Sequence, residues 1–169
     1  MGIKKGFTLV EVCLVMMIFG IAVTSMMALF PVGLRQGNMA VSDSVVTMFG
    51  DYVMNSLAAN AAEMTDWADW ESESAFKKEV VAGIKVDKGG GPGSGEQLDG
   101  SGNVKKIDDY LGISKSHIKY KLLFSKVTDP EDFGGRLYRA VLRVTDNKNG
   151  DIDDGMVFVT YFVYGGEIP

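Results

Sequence analysis

Three places in this chain gather side chains that could do chemistry. The first is Lys4-Lys5-Gly6-Phe7-Thr8-Leu9-Val10-Glu11, a basic pair followed by glycine, an aromatic residue and one carboxylate. Glu11 is the anomaly, because it opens an apolar run. A carboxylate at the edge of hydrocarbon costs on the order of 2.5–3.5 kcal/mol, so it demands a cationic partner or a place in the membrane interface. The second is the run from Asp146 to Gly155. Asp146, Asn149, Asp151, Asp153 and Asp154 offer hard oxygen ligands at near-alternate spacing, which suits Ca²⁺. Lys148 occupies the third position of that run, however, and no Glu stands at the twelfth. Asx- and Gly-rich runs are also ordinary turn chemistry. A calcium loop and a plain turn both remain open at this point. The third is His117, the chain's one histidine, with no nucleophile motif beside it. No catalytic constellation emerges, and an enzyme is not expected.

Counts narrow the classes further. One Cys, Cys13, excludes a disulfide framework, and one His excludes a multi-histidine metal centre. With 17 basic against 22 acidic residues, the net charge of −5 argues against nucleic-acid binding, which needs a basic face. The glycine-rich stretch 88–103 lacks the G-x-x-x-x-G-K-[ST] pattern of a phosphate cradle and reads as a flexible loop.

The elements that position these residues begin with a membrane helix. Val12 to Leu34 contains no Asp, Glu, Lys or Arg. At about 1.5 Å per residue such a helix covers roughly 35 Å, enough for a hydrocarbon core of about 30 Å. The run is longer than a secretory signal's apolar region and lacks a good small-residue cleavage site, so it is expected to be retained. Lys4 and Lys5 precede it and only Arg35 follows closely, which places the N-terminus in the cytoplasm and the rest outside. Pro31 should kink or loosen its far end. Beyond Gly37, Val45, Val46, Phe49, Tyr52, Val53 and Leu57 recur at helical spacing, with Asp43, Asp51 and Asn55 elsewhere on the wheel. That stripe predicts one helix continuing to about Ala62, with Gly33, Gly37 and Gly50 as points where it bends.

The remainder reads as strands. Ile118 to Phe124 and Tyr138 to Val144 alternate apolar with polar residues, and Met156 to Tyr164 is almost wholly apolar. Val80 to Val86 fits either a fourth strand or the end of a helix. Asp66-Trp67-Ala68-Asp69-Trp70-Glu71 is expected to cap a helix and cover core. The expected fold is α+β, a long N-terminal helix packed against a small antiparallel sheet.

The string Lys4 to Glu11 resembles the prepilin-type leader of type IV pilins and type II secretion pseudopilins, in which a short basic leader ends in Gly before Phe-Thr-Leu-x-Glu. The resemblance covers roughly residues 1–35. It implies cleavage after Gly6 by a prepilin peptidase, N-methylation of Phe7 by the same enzyme, and a role for Glu11 in assembly. In that family the Glu meets the N-terminal amine of a neighbouring subunit. On a helix, Glu11 also lies on the same face as Phe7, so a pairing within one subunit has the right spacing too. Pro31 falls a few residues later than the proline of many members. The domains implied are a leader 1–6, a transmembrane and assembly helix 7–34, an amphipathic outer half 35–62 and an exported α+β head 63–169. The implied partners are other pilin or pseudopilin subunits, an inner-membrane assembly platform and membrane lipid. The rival is a single-pass membrane-anchored binding or sensor module that never polymerises.

Overall fold

The computed structural model describes residues 8–86, 95–113, 116–127, 137–146 and 150–165. Two compact units divide the chain, Met1–Val41 and Ser42–Pro169. Helix α1, Leu9–Glu63, supplies the first unit and enters the second. Gly6 and Phe7 lie outside the described residues.

In the first unit, α1 is apolar around its whole circumference, and its side chains are open: Leu14, Phe19 and Phe30 are 56%, 65% and 69% exposed. A helix apolar all round requires an apolar medium. Its two hydroxyl residues are satisfied within the helix, since Thr24 Oγ1 donates to the Gly20 carbonyl at 2.8 Å and Ser25 Oγ to that of Ile21 at 2.9 Å. Such internal pairing is what a bilayer demands. The helical backbone continues through Pro31.

In the second unit the same helix becomes amphipathic. Val45, Val46, Phe49, Gly50, Val53, Leu57 and Ala61 are buried, each large member contributing roughly 1.5–3 kcal/mol by leaving water. Two expectations change here. Tyr52 stands outside the stripe, 44% exposed, because its hydroxyl donates to the Lys85 carbonyl at 2.9 Å. Gly50 belongs to the buried stripe: a Cβ there would run into the ring of Phe158, so the glycine admits an aromatic neighbour.

Helix α2, Trp67–Glu71, starts at Asp66, whose carboxylate accepts from the Ala68 N–H at 2.9 Å. Helix α3, Glu73–Val81, starts at Ser72 in the same way, with Ala75 N–H as donor. Asn60 holds the end of α3 to α1 by donating to the carbonyls of Val80 and Ala82 at 2.8 and 2.9 Å. Val80 to Val86 thus both ends a helix and begins a strand, β1, Lys85–Val86. That strand pairs with β2, Glu96–Gln97, inside the stretch expected to be loop throughout.

The main sheet is an antiparallel meander of β3 (Lys105–Asp108), β4 (His117–Lys126), β5 (Leu137–Thr145) and β6 (Met156–Val163), in that spatial order. It has four strands where three were expected. β3 escaped the period because Ile107 is its one buried residue. Ile118, Tyr120, Leu122, Tyr138, Ala140, Leu142 and Val144 face inward against α1 residues in a single core. Trp70 plugs one end, 1% exposed, edge-on to Phe76 and Tyr138. The Trp-rich segment therefore caps a helix and covers core, as expected. The architecture is α+β, a long N-terminal helix with a small antiparallel sheet.

Candidate functional site

Glu11 sits in the first turn of α1 and is exposed. Thr8 caps that turn: its Oγ1 accepts from the Glu11 N–H at 3.3 Å, and its carbonyl accepts from the N–H groups of Glu11 and Val12 at 3.0 and 3.2 Å. The spacing Thr8-Leu9-Val10-Glu11 is that of a capping box. The structure shows the Thr8 half of it, in which the group engaged is the Glu11 backbone N–H. An acid in the first turn also complements the positive end of the helix dipole. Cys13 lies two residues on, exposed and unpaired with another cysteine.

The described residues of the acidic run between β5 and β6 have partners of their own. Asp146 accepts from Ser42 Oγ at 2.5 Å and from the His117 backbone N–H at 3.2 Å, fastening helix α1 to strand β4. Asp151 caps a single 3-10 turn, Ile152–Asp154, through the Asp153 N–H. Asp153 pairs with Arg143 at 2.8 Å. Asn149 lies outside the described residues. Among the described residues no three His, Cys, Asp or Glu side chains converge on one point that could hold a metal ion. His117 pairs through Nδ1 with Asp108 at 2.8 Å at the start of β4.

One cavity of about 420 Å³ lies over the β1–β2 ribbon, lined by Val86, Leu98, Asp99, Lys105 and Tyr120 among others. The hydrogen bond from Lys105, at 2.7 Å, holds the Asp99 carboxyl below the usual carboxylate range. Burial pushes the Tyr120 phenol up, and its oxygen accepts from the Asp99 N–H at 3.0 Å. These contacts brace the loop against the sheet, and none offers a nucleophile next to a base.

Fold and sites together define a class: an α+β protein with one N-terminal helix long and apolar enough to cross a membrane once. Compared with protein families, with curated proteins and with solved structures, the chain gives no match.

Proposed function

We propose that this chain is a structural subunit of a type IV pilus-like or type II secretion pseudopilus filament. It is inserted in a bacterial inner membrane with its N-terminus in the cytoplasm, cut after Gly6 by a prepilin peptidase and N-methylated on Phe7. An assembly platform then draws it, through its N-terminal helix, among other pilin or pseudopilin subunits. The observation that carries this reading is the string Lys4 to Glu11 standing at the head of a 55-residue helix whose first part is open and apolar. Cutting at Gly6 creates a cationic amine near Glu11, and opposite charges attract far more strongly in a low-dielectric medium than in water.

Intact-mass measurement on protein from native membranes tests it. The expected product lacks residues 1–6 and carries one extra methyl. Glu11→Ala should insert normally yet fail to enter filaments, because a partner charge is left uncompensated. Incorporation of that variant at the wild-type level would sink the assembly role.

Thr8 caps the helix through the Glu11 backbone N–H alone, which a helix that never polymerises would need equally, and this keeps a second reading. If Glu11 serves only its own helix end, the chain is a membrane-anchored binding or sensor module that does not polymerise. An uncut N-terminus in the same mass spectrum selects it.

A further inference from the structure

The main sheet has two faces, and the outer one is unlike an ordinary solvated surface. Along β6, Val157, Val159, Tyr161 and Val163 form a row, each between 49% and 58% exposed. β6 is an edge strand, and edges are normally guarded by charge. On the same face the strand register sets Lys121 opposite Arg143, next to the row, and Lys106 opposite Lys119 towards the far edge. Like charges directly opposite one another destabilise a sheet. Arg143 reaches Asp153, while Lys119 donates to the Gly150 carbonyl and Arg139 to Ser125 Oγ. Among the described residues, Lys121 and Arg139 have no carboxylate partner. Lys121 and Arg139 thus leave positive charge on the same face as an open apolar row. They suit a partner surface that is acidic and partly apolar.

The partner's identity follows from charge. Stacking this face on its own copy by a two-fold axis would set cations on cations. With Tyr161 the one aromatic among its four residues, the row gives single-stranded nucleic acid little to stack on. The chain itself carries the complement. Where α1 and α3 end and α2 begins, a groove of about 370 Å³ is lined by Glu63, Met64, Asp66, Asp69 and Glu79, with no lysine or arginine among its described lining residues.

We propose that copies associate head to tail, the acidic groove of one seated on the outer sheet face of the next. The two surfaces differ, so the contact is heterologous and every added copy leaves one of each surface free. The inference rests on the filament reading and names what the heads touch.

Cysteine crosslinking of the full chain in native membranes, in a Cys13→Ala background, tests it. Tyr161→Cys in one copy should crosslink to Asp69→Cys in another, and a chain carrying both should give a ladder. Crosslinking between Tyr161→Cys copies alone, or no ladder, overturns the arrangement. Arg139→Glu should lower the crosslinked fraction at least about tenfold, equivalent to about 1.4 kcal/mol. Adding Glu79→Arg should restore it, and failure to restore overturns the charge pairing. Intact mass on the same samples separates the two proposals. A chain that is cut and methylated without a ladder overturns this inference alone. An uncut chain that ladders removes the filament reading and leaves the head contact standing.

Discussion

One helix meets two solvents in this protein. From Leu9 to Leu34, α1 keeps large side chains such as Phe19 and Phe30 well over half exposed, whereas from Val45 to Leu57 it seals Phe49, Val53 and Leu57 completely. Backbone geometry is shared, and what differs is the distribution of apolar residues around the wheel. A full circumference calls for lipid or neighbouring helices. A single stripe calls for one partner surface, and the sheet supplies it. The difference predicts that substitutions of the same kind will act on different properties in the two stretches.

The largest contrast is between Phe49→Ala and Phe19→Ala. Phe49 lies edge-on to Tyr110 at 5.3 Å and beside Tyr120 at 5.5 Å. Its removal should cost the head about 3–5 kcal/mol. Phe19→Ala should leave head stability within about 0.5 kcal/mol. Both tryptophans, Trp67 and Trp70, lie in the second unit, so tryptophan fluorescence during denaturation of the full chain reads the head alone. Equal losses would erase the comparison.

Glycines sharpen it next. Gly50→Ala forces a methyl against the Phe158 ring and should cost about 1–3 kcal/mol, partly recovered by adding Phe158→Leu. Gly33→Ala meets nothing within 4 Å and should leave the same melting curve unmoved.

Asp146→Ala should follow at about 1–3 kcal/mol, because Ser42 and the His117 N–H lose their acceptor. Calcium should not shift the wild-type curve, since Asp146 and Asp153 are already engaged by Ser42, His117 and Arg143. A calcium-dependent rise that Asp151→Ala removes would select the calcium loop over the plain turn.

The smallest effect is pH-dependent. The Lys105 hydrogen bond lowers the pKa of Asp99 in the folded state, so its contribution is present above the ordinary carboxyl pKa and is lost as pH falls through the lower native value. Lys105→Met should flatten that acid limb of a pH–stability curve, and an unchanged limb would assign it to other carboxylates.

Legibility tracked the strength of the local pattern. β4 and β5 were readable because inward and outward residues alternate over nine or ten positions. β3 and β1–β2 were not, because two to four residues carry too little period. Tyr52 has the spacing of the buried stripe, and only the Lys85 carbonyl across the fold decides that it stays outside. At the candidate site, Glu11's anomaly was plain, whereas the Thr8 cap went unread beside the longer motif that contains it.

Composition and period by themselves determined an apolar helix able to cross a membrane, an amphipathic continuation, a sheet of alternating strands and an acidic, Asx-rich connection. Each is a local property, set by residues a few positions apart. The tertiary structure decided which apolar row β6 would bury and which it would expose, that Gly50 makes room for Phe158, and that Asp146 answers to Ser42 and His117. Those outcomes depend on residues as many as 108 positions apart in the chain meeting at van der Waals or hydrogen-bond distance, and no local pattern encodes such a meeting.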